Sequence, residues 1–573
     1  MTSMEITSKF EWSSIDWHKA QSVISKLQRR IYRASQNGNL VLARKLQKIL
    51  TKSMSAKLVA VRKVTQDNQG KSTSGVDGVK SIKPKQRLEL AKNLEINTKA
   101  DKIRRVYIPK KNGEKRGLGI PTISDRAKQA LMKMALEPEW EARFEPNSYG
   151  FRPQRSAWDA VEAIKKTIIY KPKYVLDADI EKCFDKISHN KLINKATQIS
   201  KFQKQIKAWL KSGILDNGLE INPKEGTPQG GVISPLLANI ALHGMEEEIN
   251  KHFPQTKERY IKMSKQKYGY KVSAPTLIRY ADDFVILCED INIIIKCKEI
   301  IENWLKDWGL NLKESKTKIV HTKEEAFGNN AGFDFLGFNI RQYEKGKKHT
   351  NTFSNGNITK RLEYKTLIKP SKESIKRHYK NLADLITKGN GIKQEYLINS
   401  LQKRITGWCN YYKYCNSKET FTKLNHLVWK RLLRWGVRRH QTKGTNWVVN
   451  KYWKTINGRK WEFTDGNILL KTHDKFKSGE RFIKIKGNKS PYDGDEQYWN
   501  KRTSKLKYTS NTLNQKLYKQ QKGLCGICHS LINNEDLADI HHIISIKDGG
   551  TDELKNYTLA HKHCHQKLHG DVA

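Results

Sequence analysis

The chain has 573 residues, a length that suits roughly three to four domains of about 150 residues each. Its Lys and Arg residues number 108 against 58 Asp and Glu, which gives a formal net charge of +50. Solubility alone needs a net charge of only about 2–8 in a small domain, so the excess favours a polyanionic partner. No run approaches the 18 or so apolar residues of a membrane span, and the N-terminus lacks the apolar core of a secretory signal.

Aromatic residues among the cations favour nucleic acid over an anionic membrane surface. The chain has 14 Trp, 22 Tyr and 16 Phe, whose rings can stack on bases. Its cysteines indicate an intracellular protein, because most of them show no ligand-like spacing and are interpreted as reduced thiols. These thiols are Cys183, Cys288, Cys297, Cys409 and Cys415.

Helical and strand signals are mixed in the first half of the chain. Residues 1–64 are predicted to form an N-terminal helical extension. The strand-like runs Arg105–Pro109 and Leu118–Pro121 flank an Asn-Gly pair and predict a hairpin. Buried strands are predicted at residues 174–180 and 277–288, with helical stretches between them. This mixture predicts a multidomain α+β protein with an α/β or α+β catalytic region.

The second half is predicted to be polar, basic and largely helical. Residues 342–362 are interpreted as a polar linker, and residues 363–450 as a basic helical domain. Residues 451–510 are basic and rich in Trp without an assignable periodicity. Residues 511–573 are predicted to form a compact unit rich in Cys and His.

Three aspartates carry the strongest catalytic signal. Asp179 closes an apolar strand, and Asp282 and Asp283 occupy a turn between two short predicted strands. If the strands are neighbours, the carboxylates converge and repel one another, and two divalent ions can resolve that repulsion while clamping the oxygens of a phosphoryl transfer. Oxygen ligands favour Mg²⁺. Taken alone, an Asp-Asp turn on an ordinary hairpin is the simpler interpretation.

Neighbouring segments add candidate nucleotide contacts. Phe184 could clash with a ribose 2′-hydroxyl and favour deoxynucleotides, although an ordinary core Phe is a comparable interpretation. The run Gly226–Pro235 lets backbone approach a ligand, and Gln229 can donate to base or sugar. Cations flanking the predicted hairpin suit phosphates, while a solvated surface is the simpler role for some of them. These cations are Arg104, Lys110, Lys111, Lys115 and Arg116.

The ordered series of motifs resembles the reverse transcriptases encoded by group II introns, over nearly the full chain. The matching segments are residues 74–78, 105–110, 119–122, 148–153, 179–185, 226–235, 279–284, 309–318 and 335–338. The resemblance implies a right-hand polymerase fold with fingers and palm at residues 65–341. It implies that Mg²⁺ is held by Asp179, Ile180, Asp282 and Asp283. It further implies that deoxynucleotides are bound by Phe184, Gln229, Arg104, Lys110 and Ile180.

Cations interleaved with aromatic residues after the palm can grip phosphates and stack on unpaired bases. For single residues an amphipathic helix with a Trp and Leu core is the favoured interpretation, while the charge density favours RNA binding for the segment. The resemblance makes residues 363–450 a helical thumb, or maturase domain, and residues 451–510 a DNA-binding region. The candidate RNA contacts are Lys403, Arg404, Trp408, Tyr411, Tyr412, Lys430, Arg431 and Arg434.

Paired cysteine and histidine spacing near the C-terminus predicts a structural Zn²⁺ site. Cys525 and Cys528 are followed by His561 and Cys564, which together supply tetrahedral ligands. A unit of about 60 residues has a small core, so a metal contributes the stability that packing lacks.

Additional histidines between and after these pairs resemble the HNH endonucleases, with their small ββα-metal fold. The resemblance implies that His542 is the general base that activates a water. It implies that His541, His565 and His569 hold one catalytic divalent ion, Mg²⁺ or a similar metal. Asn556 would orient the base or brace the loop. A purely structural zinc knuckle would explain the cysteines but leave the extra histidines without a role.

Together these features predict a multifunctional mobile-intron protein, intracellular in a bacterial cytoplasm or nucleoid or in an organelle. It would bind its group II intron RNA, assist splicing, nick a double-stranded DNA target and extend the nick into cDNA with dNTPs, with no membrane partner. A splicing-only maturase with a vestigial polymerase is one alternative. A reverse transcriptase of a retron or defence system is another.

Overall fold

The structure is a computed structural model that describes residues 11–109, 115–216, 219–221, 225–227, 229–254, 274–345, 352–355, 358–507, 513–529, 532, 538–561, 564–565 and 568. The described helices are α1 (Trp17–Gln36), α2 (Leu40–Lys52), α3 (Met54–Arg62), α4 (Pro84–Lys92), α5 (Ile123–Arg143), α6 (Ala157–Ile168), α7 (Cys183–Lys186), α8 (His189–Ala196), α9 (Ser200–Leu210), α10 (Ser234–Leu242), α11 (Met245–His252), α12 (Ile291–Asp307), α13 (Lys372–Lys388), α14 (Gln394–Tyr412), α15 (Lys418–Arg439), α16 (Thr445–Tyr452), α17 (Glu496–Lys507) and α18 (Leu513–Gln520).

The described strands are β1 (Ile103–Pro109), β2 (Lys115–Ile120), β3 (Tyr174–Asp179), β4 (Ile214–Asp216), β5 (Leu219–Ile221), β6 (Thr276–Tyr280), β7 (Asp283–Cys288), β8 (Lys318–His321), β9 (Phe333–Phe335), β10 (Phe338–Glu344), β11 (Thr352–Asn355), β12 (Ile358–Arg361), β13 (Tyr364–Pro370), β14 (Trp453–Ile456), β15 (Arg459–Phe463), β16 (Ala538–His542) and β17 (Tyr557–His561). Helices and strands alternate in separate packed regions, so the predicted mixed α/β, multidomain architecture is confirmed. Over the ranges given above, no helix has both the length and the apolar character needed to cross a membrane.

The N-terminal region is helical, as predicted. The Asp16 side chain accepts a hydrogen bond from the Lys19 amide at 2.9 Å and caps α1. The apolar faces of α1 and α2 pack against α5, where Ile31 and Leu50 are fully buried. These helices therefore support α5, which leads directly to the residues beneath the acidic turn.

The predicted hairpin near residue 110 is present. β1 and β2 pair antiparallel, from Arg104 opposite Ile120 to Pro109 opposite Lys115. β1 also pairs in parallel with β4, so this sheet runs in the order β2-β1-β4-β5. The connecting turn, with Lys110 and Lys111, lies outside the described residues.

A second sheet carries the aspartates. Its described strands run in the order β6-β7-β3-β8, and each neighbouring pair is antiparallel. Alternate residues of β7 enter two different cores: Phe284 and Ile286 face one, and Val285 and Leu287 face the other. Burial on both faces explains why β3 and β7 are apolar almost throughout.

The segment predicted as a polar linker, residues 342–362, departs from that prediction. β10 continues to Glu344 and pairs along its whole length with β13, while β11 and β12 pair with each other. The helical prediction for residues 363–450 is likewise wrong over β13, Tyr364–Pro370. The strand hydrogen bonds of β13 come from β10, from Glu344 opposite Tyr364 to Phe338 opposite Pro370. Such a distant pairing, together with the Lys and Thr side chains of β13, leaves no strand signal in a local pattern.

Residues 480–507, the return segment, pack back onto the N-terminal half. Arg502 forms a buried ion pair with Asp159 of α6, at 2.8 Å from Nη2 to Oδ1. The Ile485 amide donates to the same Oδ1 at 2.7 Å, and the Lys484 ammonium donates to the Tyr149 hydroxyl at 3.2 Å. Local periodicity predicts no elements in this segment, because its order depends on these distant partners.

The C-terminal unit is small and is built around a hairpin. β16 and β17 pair antiparallel, with His541 opposite Thr558 and His542 opposite Tyr557. Its described core consists of few side chains, among them Leu517, Cys525 and Leu559. So small a core supplies little stability by itself.

Candidate active sites

The three aspartates meet at one edge of the β6-β7-β3-β8 sheet. Asp179 is the last residue of β3 and lies directly opposite Asp283, the first residue of β7. Tyr280 pairs with Asp283 across β6 and β7, so Asp282 occupies the tight turn between them. Ala281 in that turn has φ +60°, a left-handed conformation that turns the chain sharply.

The electrostatics of this edge favour a bound cation. Burial, then the charges of Asp282 and Asp179, raises the pKa of Asp283 to about 7. Burial and the charge of Asp179 also raise the pKa of Asp282. The Lys316 ammonium lies 2.5 Å from Asp179 Oδ2 and offsets part of the repulsion. Clustered oxygen donors that repel one another suit divalent ions such as Mg²⁺.

A fully buried arginine holds the acidic turn from below. Arg279 Nη1 donates to the Ala281 carbonyl and to Asn239 Oδ1, both at 3.1 Å. The Asn239 amide donates in turn to the Gly150 carbonyl at 2.7 Å. A Cβ on Gly150 would lie 2.3 Å from the Ala281 nitrogen, so only glycine permits this approach.

Glu145 supplies the counter-charge for that arginine. Its Oε2 lies 4.0 Å from Arg279 Nη2 and 3.2 Å from His243 Nδ1, and its Oε1 accepts from the Gly244 amide at 2.7 Å. Burial opposes ionisation, but the hydrogen bond with His243 and the charge of Arg279 outweigh it and lower the pKa of Glu145 to about 2. The carboxylate is therefore charged at neutral pH, and the turn rests on a buried ion pair.

Phe184 lies in the short helix α7 that follows β3, close to the aspartates in sequence. Its side chain is almost buried and meets Phe151 edge to face, with ring centroids 6.2 Å apart. Its carbonyl accepts a hydrogen bond from the Thr227 amide. A Cβ on Gly226 would lie 2.5 Å from the Asp185 carbonyl carbon, so the glycine-rich run is pressed against α7.

Gln229 connects the glycine-rich run to the β1-β2 hairpin. Its Oε1 accepts from Arg116 Nε at 2.6 Å, and its carbonyl accepts from the Gly119 amide at 2.6 Å. Arg104 is half-buried, and among the described residues its Nε has no hydrogen-bond partner. The Ile180 side chain is buried, so only its backbone can face a ligand.

The predicted zinc ligands come together in the C-terminal unit. The ligand atoms of Cys525, Cys528, His561 and Cys564 all lie within 4.8 Å of one another. Hydrogen bonds from the Cys528 and Cys564 thiols lower the pKa of Cys525, which favours the thiolate that a metal binds. Three sulfurs and one imidazole nitrogen suit tetrahedral Zn²⁺.

The remaining histidines stand on and near the β16-β17 hairpin. His542 Nε2 lies 2.8 Å from Asp552 Oδ1, and Tyr557 donates to the same oxygen at 2.9 Å. The His541 and His565 rings have centroids 5.2 Å apart. His569 lies outside the described residues.

Asn556 braces the loop between the strands. Its Oδ1 accepts from the Ile544 amide, and its Nδ2 donates to the carbonyls of Ile544 and Thr551, all at 2.9 Å. With these contacts its amide is committed to the loop rather than to His542.

Comparisons with known proteins show what the chain is similar to. Four family models match: the N-terminal domain of reverse transcriptase at residues 12–94, reverse transcriptase (RNA-dependent DNA polymerase) at 108–340, the group II intron maturase-specific domain at 375–453, and HNH endonuclease at 525–571. Protein YkfC of Escherichia coli (strain K12) is 31% identical over 352 residues, which cover 56% of this chain and 88% of that protein. The group II intron-encoded protein LtrA of Lactococcus lactis subsp. cremoris is 28% identical over 553 residues, which cover 84% of this chain and 87% of LtrA.

The chain belongs to the group II intron-encoded reverse transcriptases. It is a multifunctional intron-encoded protein that combines an RNA-directed DNA polymerase, a maturase domain and an HNH endonuclease. The maturase and HNH matches favour this class over a reverse transcriptase of a retron or defence system. Both enzymatic domains belong to classes that use divalent metals, and the Cys₃His cluster is present.

In the maturase domain of this intron-encoded protein, the predicted RNA contacts fall into two groups: exposed cations and aromatic side chains that pack mainly in the core. Lys403, Arg404, Lys430 and Arg434 are exposed on α14 and α15, whereas Arg431 donates to Thr387 Oγ1 at 2.8 Å. The aromatic contacts belong mainly to the core.

Tyr412 is only 3% exposed and its hydroxyl donates to the Gly337 carbonyl, so its ring is not available to an unpaired base. Trp408 stacks on His378 at 4.5 Å between ring centroids. Tyr411 is partly exposed, and its hydroxyl donates to the Leu336 carbonyl. For Trp408 and Tyr412, the amphipathic-core interpretation describes the packing better than base stacking.

Sequence reasoning missed the residues that hold the acidic turn. Arg279 and Gly150 lie inside motifs that carry the family resemblance, yet neither has a chemical role that spacing reveals. Glu145 and Asn239 lie outside them. For Arg279 the available signal was a charged residue inside the predicted buried strand 277–288.

Proposed function

We propose that Asp179, Asp282 and Asp283, with the backbone of Ile180, hold two Mg²⁺ ions at which deoxynucleotides are joined to a primer on an RNA template. The register that sets Asp179 opposite Asp283 carries this proposal. Such a pair of ions, when bound, neutralises charge on the attacking and leaving oxygens of an in-line transfer. A right-hand arrangement of fingers, palm and thumb suits this chemistry, with fingers and palm at residues 65–341.

The incoming nucleotide is proposed to bind between the β1-β2 hairpin and α7. Phe184, held between Phe151 and the glycine-rich run, would exclude a ribose 2′-hydroxyl. Gln229, oriented by Arg116, would contact the base or sugar. Arg104 and Lys110 would contact the triphosphate, and the half-buried guanidinium of Arg104 supports this role.

The nucleic-acid partners are proposed to be the group II intron RNA and a double-stranded DNA target. The exposed cations of α14 and α15 would contact intron RNA within a thumb at residues 363–450, and residues 451–510 would bind DNA. Residues 1–64 would extend the fingers, and residues 342–362, although they carry strands, would connect palm and thumb. The protein is proposed to act inside the cell, in a bacterial cytoplasm or nucleoid or in an organelle, where intron RNA is made.

The HNH unit, residues 511–573, is proposed to nick the second strand of the target and so provide the primer. Within a ββα-metal arrangement, His542 would take a proton from the attacking water while Asp552 holds its Nε2. His541, His565 and His569 would hold one divalent ion, Mg²⁺ or similar, which stabilises the leaving oxygen when bound. Zn²⁺ on the Cys₃His cluster would be structural.

Primer extension on an RNA template with Mg²⁺ tests the palm assignment. Asp282→Asn combined with Asp283→Asn should lower dNTP incorporation by about a thousandfold or more, because the lost transition-state stabilisation is several kcal/mol at about 1.4 kcal/mol per tenfold. Asp307→Asn is the matched control, since this carboxylate pairs with Lys191 at the surface. Equal incorporation by the double variant and the wild type would exclude the assignment.

Target nicking tests the nuclease assignment separately. His542→Ala should abolish nicking and leave the zinc content unchanged, because His542 is not one of the four clustered ligands. Retained nicking by His542→Ala would assign the general base elsewhere.

A further inference from the structure

A cleft between the thumb helix α15 and the β14-β15 hairpin is lined by aromatic rings. Its volume is about 650 Å³, within the range of small-molecule sites. Trp429 and Trp461 both line it and pack against each other, with ring centroids 5.2 Å apart and ring planes at 37°. Trp453 also lines the cleft and lies 6.4 Å from Trp429 between ring centroids, and the His426 ring is stacked nearly parallel to Trp429 at 6.5 Å.

The β14-β15 hairpin has a strained backbone at Trp461, and the ring of this residue is exposed to solvent. Trp461 has φ +68°, a left-handed conformation that is unfavourable for a bulky residue. The register of β14 and β15 shifts beside it, between Lys454 and Ile456. The Trp461 side chain remains 54% exposed, so a large apolar ring is held open to solvent at a backbone position that disfavours it. Strain kept at an exposed ring indicates a ligand contact rather than core packing.

Polar groups around the cleft match a nucleotide. Arg459 and Lys460 are exposed beside Trp461 and suit phosphates. Asn425 and Asp474 line the walls and can bond to the edge of a base, and Thr472 donates to Asp474 Oδ1 at 2.6 Å, which fixes the carboxylate. The Trp429 indole N–H is shielded from solvent and has no hydrogen-bond partner among the described residues.

We propose that this cleft binds an unpaired nucleobase of a single-stranded nucleic acid, which stacks on Trp461 while Arg459 and Lys460 hold its flanking phosphates. Stacking is sequence-tolerant and the cations are placed for a backbone rather than for a free small molecule. The base can belong to intron RNA or to an unwound strand of target DNA, which share this chemistry. The proposal rests on the proposed nucleic-acid partners, but not on either catalytic site.

Photocrosslinking locates such a base directly. The full chain is mixed, at subsaturating concentration and without dNTPs, with a single-stranded RNA that carries 4-thiouridine or with a single-stranded DNA that carries 4-thiothymidine. After irradiation, crosslinked peptides are identified by mass spectrometry. Crosslinks to the peptides of α15 near Trp429 or of β15 near Trp461 are expected, and the probe that gives them identifies the source of the base.

Variants of Trp461 separate stacking from general electrostatic attraction. Trp461→Gly removes the ring and relieves the left-handed strain, so the fold should persist. The crosslink yield should fall by about 5- to 150-fold, the range that one stacked base supports, while Trp461→Phe should retain most of it. Trp447→Ala, which removes a Trp that is 41% exposed on α16, is the matched control and should leave the yield unchanged.

The cations give a second, independent measurement. Arg459→Gln with Lys460→Gln should reduce the dependence of log crosslink yield on log salt by about 1.4, since each phosphate on a single strand contributes about 0.7. Absence of crosslinks on both peptides with both probes, or an unchanged yield in Trp461→Gly, would overturn the proposal. Because no dNTP is used, this outcome is independent of primer extension by the same preparation.

Discussion

In the reverse transcriptase domain, the aspartate turn rests on a fully buried arginine and on a sheet covered on both faces, whereas the histidines of the HNH unit stand on a two-stranded hairpin beside a cluster of candidate metal ligands. Arg279 and Glu145 fix the palm turn through buried contacts. His542 is fixed by Asp552, whose side chain is 71% exposed. We therefore expect packing to order the first site before any metal binds, and a bound metal to contribute much of the stability of the second.

Loss of the zinc site should give the largest difference between the two activities, target nicking and dNTP incorporation. Cys528→Ser removes one of the four ligands and with it a structural site of about 10–16 kcal/mol, so target nicking should be lost with the fold of the unit. Incorporation of dNTPs on an RNA template should persist, because the palm core contains none of the four ligands. Loss of both activities together would show that the sites do not differ in this way.

Substitution of the buried arginine should have the next largest effect, and on the palm alone. Arg279→Met leaves the Glu145 carboxylate buried with less compensation and should destabilise β6 and β7 by about 3–5 kcal/mol. Hydrogen exchange of these strands measures this local stability. Lys298→Met is the control: its ion pair with Glu302 lies at the surface, and a change below about 1 kcal/mol is expected.

Gly150→Ala should displace the acidic turn without removing a charge. The new Cβ would lie 2.3 Å from the Ala281 nitrogen, and a shift of about 1 Å should lower primer extension by about a hundredfold. Gly407→Ala on α14, where a Cβ meets no atom within 4 Å, should leave extension unchanged. Equal rates in the two variants would mean that the turn does not depend on this contact.

Asp552→Asn should have the smallest effect, because an exposed partner positions His542 less rigidly than a buried one. Nicking should fall by about tenfold, at the lower end of the range for residues that orient a functional histidine. Glu553→Gln, a neighbouring exposed carboxylate paired with Lys555, is the matched control. If nicking by Asp552→Asn fell as much as primer extension by Gly150→Ala, His542 would be held as rigidly as the aspartate turn, and the proposed difference between the two sites would be wrong.

Much of the fold around the aspartates and the zinc site could be predicted from the sequence, because the signals for it are local. The buried strands around Asp179 and Asp283 are apolar on both faces, and the hairpin near Lys110 has its own turn signal. The Cys and His spacing of the zinc site lies within forty residues. These features predicted which residues would meet, and the register of β3 and β7 agrees with that prediction.

The parts that escaped prediction depend on distant partners. β13 looks like a charged helix or loop because its strand hydrogen bonds come from β10. The role of Arg279 is set by Glu145, more than a hundred residues before it in the chain. Local periodicity contains none of these pairings.

The pair between Asp159 and Arg502 also has a consequence for the timing of synthesis. Its residues are 343 positions apart in the chain. At about 5–20 residues per second, Asp159 is synthesised about 17–70 s before its guanidinium partner. During that interval α6 is not yet covered by the return segment, so we expect the reverse transcriptase domain to complete its packing only after that segment is synthesised. A nascent chain therefore completes its polymerase only shortly before its nuclease emerges.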